Sequence, residues 1–196
     1  MSSREQDFLA GIDYLMEGNP RQQDVYRVLR GLGVMEVLEP YQPVLVGTVP
    51  LDVDIPGSDL DVVCHVEQEK REAFEALLKG TFGSCGDFEY AAREVDGLLR
   101  QVGRFRYEGW AVEIFGHPLP LEEQNGYRHM VVEHRLLELL GDRGREAIRS
   151  LKLQGFKTEP AFAQLLLLEG DPYKELRDMY HWSPEQLAAL AAGLME

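Results

Sequence analysis

Val46-Gly47-Thr48-Val49-Pro50-Leu51-Asp52-Val53-Asp54-Ile55-Pro56-Gly57-Ser58-Asp59-Leu60-Asp61-Val62-Val63 runs from a glycine turn, through a loop rich in Asp and Pro, into an apolar β-branched segment that opens on Asp-x-Asp. Side chains alternate across a strand, so Asp59 and Asp61 share one face while Leu60 and Val62 take the other. Two carboxylates on one face reach the same divalent ion or pair of ions. Hard cations such as Mg²⁺ prefer carboxylate oxygens and keep positions open for substrate phosphates, so the pattern suggests metal-dependent phosphoryl chemistry. Taken alone, Asp-x-Asp is more often a solvated strand end, and its weight depends on the rest of the chain.

Outward from this stretch, Pro43–Gly47 and Leu60–Val66 read as strands joined by the loop 48–58. Before them, Phe8, Ile12, Leu15 and Met16 recur at helical spacing, and Asn19-Pro20 reads as an N-cap followed by Pro at the first position of a helix reaching about Leu32. After them, Glu67 to about Lys79 is charged on one side and carries Phe74, Leu77 and Leu78 on the other, the pattern of an amphipathic helix. Segments near 88–95, 98–107 and 110–116 read as an antiparallel meander with hairpin turns at Asp96-Gly97 and Glu108-Gly109. From Pro120 onward the pattern is helical, broken near Gly141-Asp142, Gly155, Gly170-Asp171-Pro172 and Ser183-Pro184. No internal repeat or low-complexity stretch is found.

A chain of 196 residues with ordinary apolar and charged fractions buries one sizeable core with a smaller appended part. No segment approaches the roughly 18 to 20 consecutive apolar residues of a membrane span, and Met1–Asp7 lacks the basic-then-apolar order of a signal peptide. The expectation is a soluble cytoplasmic protein with no membrane partner. Cys64 and Cys85 are too few for a disulfide framework and have no zinc-ligand spacing; Cys64 reads as a small buried strand residue. A net charge of −14 argues against an extended grip on nucleic acid, which depends on Lys and Arg neutralising phosphates, but leaves room for a small nucleotide site whose positive charge comes from metal. Oligomeric state is not legible.

Gly47-Thr48, the spacer of about ten residues and Asp59-Leu60-Asp61 together resemble the signature of the nucleotidyltransferase superfamily, the DNA polymerase β-like fold. More closely, the chain resembles an uncharacterised bacterial domain family within it, through Val46-Gly47-Thr48, Asp54 to Asp61, Gln124-Asn125, Tyr127-Arg128-His129-Met130 and Lys157 to Ala163, over most of residues 20–178. The resemblance implies an α+β fold, a nucleotidyltransferase-like mixed sheet flanked by helices. Residues 1–120 would form the catalytic layer and 121–196 a helical C-terminal part packed on it.

It also implies that Asp59 and Asp61 bind metal, with a third carboxylate from a later strand. Glu113, an isolated acid in the apolar run Trp110–Phe115, is the candidate. The implied cofactor is Mg²⁺, with Mn²⁺ as the alternative, and the implied substrate a nucleoside triphosphate. Gly47, Thr48 and Ser58 would approach its phosphates. Thr48 stands where the family usually has Gly or Ser, and its β-branch restricts that turn. The implied reaction is attack of an acceptor hydroxyl on the α-phosphate with release of pyrophosphate, the acceptor being an unknown small molecule or protein. A catalytically inactive nucleotide-binding or regulatory module of the same fold, or an interaction protein with an acidic surface, stays open.

Other residues have competing readings. Lys152 and Lys157 flank Gly155 in an acidic chain and could meet a triphosphate or form structural ion pairs. Asp52 and Asp54 read as loop-shaping acids, with Asp54 able to supplement the carboxylates. Arg128 and His129 read as an ordinary exposed helix face or as substrate contacts. His65 and His117 read as solvated strand ends, since Mg²⁺ prefers oxygen. Trp110 and Phe115 read as core, and Leu165–Leu168 as helix packing.

Overall fold

The computed structural model describes residues 3–95 and 97–193. They fall into two units: one extends to Val46 and resumes from Gly57 to Gln124, and the other takes Gly47–Pro56 and the chain from Asn125.

In the first unit, α1 (Ser3–Ala10) leads to α2 (Pro20–Leu32). The start of α2 follows from Asn19, whose side chain accepts from the Arg21 and Gln22 amides at 2.9 Å while Gln22 accepts from the Asn19 amide at 3.0 Å. That capping box satisfies amides that a helix start leaves without partners. Gly33, at φ 67°, ends α2 and leads into the short α3 (Val34–Val37). The strands are β1 (Val44–Val46), β2 (Leu60–His65), β3 (Gly86–Val95), β4 (Leu98–Tyr107) and β5 (Trp110–His117), with α4 (Arg71–Phe82) between β2 and β3.

The five strands form one sheet in the order β1-β2-β5-β4-β3, with β2 and β5 parallel and the other pairs antiparallel. The architecture is the expected α+β mixed sheet with flanking helices. Glu108 and Gly109 both have positive φ, 45° and 86°, as a two-residue type I′ hairpin requires, and Tyr107 pairs with Trp110 across them. Asp96, half of the other expected turn, lies outside the described residues.

Helix packing assigns the sheet its two faces. Phe82 of α4 stacks on Phe105 with centroids 5.1 Å apart, and the Gln101 side chain donates to the Arg71 carbonyl at 2.9 Å. Phe74 lies so close to Gly116 that a Cβ there would meet its ring at 2.5 Å. From α2, Asp24 accepts from the Trp110 indole at 3.1 Å, and Arg21 lies over the same ring at 4.3 Å. Both helices thus cover the face carrying Trp110, Ile114, Gly116, Gln101 and Phe105. Leu60, Val62, Cys64, Val112 and Ile114 are buried, each large apolar side chain worth about 1.5–3 kcal/mol when fully removed from water. Alternation then puts Asp61, Glu113 and Arg104 on the opposite face. Two details differ from the sequence reading: Asp59 precedes the first paired residue, Leu60, and α4 begins at Arg71 after a 3₁₀ turn over Gln68–Lys70.

The second unit is helical: α5 (Asn125–Leu153), α6 (Thr158–Leu166), α7 (Pro172–Asp178) and α8 (Pro184–Ala192), with α5 packed against the other three. The expected breaks are there. Gly141 leaves helical geometry inside α5 at φ 63°, Asp171 caps α7, and Ser183 forms a capping box on α8. Leu167 is an exception to the helix-packing reading: it ends α6 at φ 56° and is 73% exposed, while Leu166 is buried. The segment 47–56, which reads as a loop, is folded into this unit, with Val49, Leu51 and Val53 buried and Asp52 paired with Arg149 of α5.

Candidate active site

β2 and β5 are parallel neighbours with Asp61 opposite Glu113, so strand pairing alone sets two carboxylates side by side. Asp59 reaches the same place from just before β2. One oxygen from each of Asp59, Asp61 and Glu113 lies within 4.8 Å of the others, with Asp59 exposed and the other two half-buried. Glu113 is tolerated in its apolar strand because its neighbours alternate: Val112 and Ile114 are buried beneath the sheet while Glu113 points to the other side.

Arg104 is the residue beside the carboxylates that the sequence reading missed. It pairs with Glu113 across β4 and β5, and its Nε donates to Glu113 Oε1 at 2.7 Å. The hydrogen bond to Glu113 chiefly, with the charges of Glu113, Glu89 and Asp59, holds the guanidinium above its ordinary value. The signal was present in the sequence: a two-residue turn at Glu108-Gly109 fixes the β4–β5 register and places residue 104 opposite 113. Three carboxylates and one guanidinium leave a formal charge of −2, and the ligand atoms are all carboxylate oxygens. That donor set fits a hard divalent cation such as Mg²⁺.

The triad and Ser58, which immediately precedes it, belong to the first unit; Gly47, Thr48, Lys152 and Lys157 belong to the second. Gly47 has φ 83°, and the Thr48 carbonyl accepts from the Leu51 and Val53 amides at 3.3 and 3.1 Å. Lys157 is exposed at the N-cap of α6. Lys152 is buried, and its charge acts on Glu133. Asp54 is buried in the second unit.

His129 does not lie on an exposed face. It is 6% exposed, with Nδ1 3.0 Å from Glu159 Oε1 and Nε2 2.9 Å from the Tyr173 carbonyl. Its neighbour Arg128 lies over the Tyr180 ring. Burial pushes the Glu159 carboxyl up, but the hydrogen bond from His129, a backbone amide and the charges of His129 and Lys157 outweigh it and hold the group below its ordinary value. Glu133 is displaced the other way, far above the ordinary carboxylate range, by burial first and by Glu159 second, with Lys152 opposing. These helix residues hold the second unit together, which corrects the surface reading of His129: the polar side of an amphipathic pattern becomes interior once other helices pack on it. His65 and His117 do end β2 and β5, where they are register partners and half-buried.

A mixed sheet with three carboxylates gathered at β2 and β5 is that of a nucleotidyltransferase-like fold, and solved structures agree. A structure of Cid1 described for its RNA terminal uridylyl transferase activity superposes with TM-score 0.53 at 10% identity, covering 88% of this chain and 53% of that one. The Cid1 poly(U) polymerase bound to Mg 3′-dATP gives 0.52 at 11% identity, covering 84% and 52%. The chain thus spans about half the length of these structures. No curated protein sequence matches it. The chain belongs to the family described as "Domain of unknown function (DUF4269)", whose profile matches residues 27–179. No helix among the described residues is long and apolar enough to cross a membrane.

Proposed function

We propose that this protein is a divalent-metal-dependent nucleotidyltransferase that moves a nucleoside monophosphate from a nucleoside triphosphate to an acceptor hydroxyl. The observation that carries the reading is the convergence of Asp59, Asp61 and Glu113 within 4.8 Å. These three would hold Mg²⁺, which when bound supplies Lewis-acid polarisation of phosphoryl oxygens and neutralises developing charge. The acceptor oxygen forms a bond to the α-phosphorus, the bond from that phosphorus to the β-bridging oxygen breaks, and pyrophosphate leaves. Glu113 is the carboxylate assigned to take the hydroxyl proton. Arg104 orients it by occupying Oε1. Ser58, which leads into the triad, is proposed for the triphosphate, and the roles expected of Gly47, Thr48, Lys152 and Lys157 are open to test by substitution.

The test is thermal stability with each nucleoside triphosphate, with and without Mg²⁺, since a ligand that binds only the folded state raises it by about 2.7 kcal/mol at a hundred times its Kd. Asp59→Asn with Asp61→Asn should abolish the Mg²⁺-dependent rise and transfer of α-labelled phosphate to acceptors in a cell extract. Equal stabilisation or labelling in that variant would place the site elsewhere.

A further inference from the structure

Four residues along the strands from the carboxylates, about 13 Å at strand rise, the same sheet face carries a second row of different character. His65 and His117 are register partners at the ends of β2 and β5. Arg100 follows next on β4, its charge acting on His117, and Arg93 of β3 stands directly opposite Arg100. Between the two rows lie Val63, Phe115, Val102 and Ala91, which supply no charge.

We propose that the row His65, His117, Arg100 and Arg93 binds the phosphate of a phosphate-bearing acceptor, presenting its hydroxyl toward the carboxylates. This rests on the nucleotidyl-transfer reading of the triad.

Two arginines placed directly opposite each other in an antiparallel pair repel, and like-charge cross-strand pairs cost stability. Here neither Arg93 nor Arg100 has an acidic partner among the described residues, whereas Arg104 and Arg106, farther along β4, are bonded to Glu113 and Asp87. In a chain of net charge −14, two exposed arginines left facing each other are available to an external anion. Two guanidiniums also match the geometry of phosphate oxygens. Glu67, whose carboxyl feels His65, is held by Lys70 at 2.9 Å.

His117 is prepared as a neutral donor. Its Nδ1 accepts from the Leu119 amide at 3.1 Å, which leaves the proton of the neutral ring on Nε2. Burial first, then the charges of Arg100 and His65, lower its pKa to about 4, so at pH 7 it offers a hydrogen bond without charge. Lone exposed arginines would give weak, undirected attraction. A fixed donor in line with two guanidiniums gives a defined seat.

The experiment titrates inorganic phosphate into the metal-free protein and follows the ring signals of His117 and His65 by nuclear magnetic resonance. Saturable shifts are expected, with affinity at least tenfold weaker in Arg93→Ala/Arg100→Ala, two exposed positions whose truncation leaves the core intact. A sugar phosphate and a short single-stranded oligonucleotide without a terminal phosphate form two further arms. The tighter ligand identifies whether a phosphorylated small molecule or a phosphodiester strand is the source of the anion. Absence of saturable shifts, or equal affinity in the double variant, overturns the proposal.

Two controls separate it from the reading it rests on. Mg²⁺-dependent stabilisation by triphosphate should survive in Arg93→Ala/Arg100→Ala, and phosphate binding should survive in Asp59→Asn/Asp61→Asn. If triphosphate never stabilises the wild type while arginine-dependent phosphate binding is present, nucleotidyl transfer fails and the anion site stands.

Discussion

Replacing Arg104 by Gln should tighten divalent-cation binding. Arg104 Nε sits 2.7 Å from Glu113 Oε1, so it competes for one of the three carboxylates. A cation about 2.1 Å from that oxygen would lie no more than about 5 Å from the guanidinium nitrogen. At that separation a divalent ion and a single positive charge repel by about 1.7 kcal/mol even at the dielectric constant of water. The Arg104 side chain is 47% exposed, so the water value is the appropriate one, and salt screening lowers it toward about 1 kcal/mol. Arg104→Gln should therefore bind Mn²⁺ roughly ten- to twentyfold more tightly by calorimetry at low ionic strength, the gain shrinking to about fivefold as salt is added. Arg106→Gln, which removes an arginine bonded instead to Asp87 at 3.4 Å, serves as the control and should change affinity by less than twofold. Unchanged or weaker Mn²⁺ binding in Arg104→Gln would refute the placement of the cation on this triad.

Glu133→Gln should stabilise the protein at neutral and alkaline pH. Burial raises this carboxyl in the folded chain, so its favourable share of stability is complete below the unfolded value near 4.5 and is lost as pH rises toward the raised folded value. The variant's advantage in denaturant unfolding should accordingly grow from pH 4 to pH 8, and parallel profiles would show that Glu133 ionises freely in place. Gly116→Ala should destabilise by about 1–3 kcal/mol, because the added methyl meets Phe74 at 2.5 Å and Val66 at 3.0 Å with α4 unable to withdraw from the sheet. The readout is a lower urea midpoint at unchanged slope, and an unaltered midpoint would mean that α4 does not pack as described.

Much of the first unit was local in its determinants. Asn19 followed by Pro20, and Glu108-Gly109 between apolar runs, fix a helix start and a hairpin through hydrogen bonds that span a few residues, so one-dimensional reading suffices. Strand alternation likewise gave Asp59 and Asp61 a common side, and an acid alone among apolar neighbours singled out Glu113. The hairpin register would also have delivered Arg104, had it been carried four residues back from the turn.

The sequence by itself therefore determined most elements, several of their caps and the candidate residues of the carboxylate triad. What it left open depends on which segments meet. That Asp61 stands beside Glu113, fifty-two positions later in the chain, follows from the parallel pairing of β2 with β5, a long-range choice driven by burying Val62, Cys64, Val112 and Ile114 beneath α4 and α2. The burial of His129 and Glu133 was decided by helices packing on a face that is polar when α5 is considered alone. Only the folded sheet aligned His65, His117, Arg100 and Arg93, drawn from four strands, into one row, because side-chain neighbours across strands are set by register and not by proximity in sequence.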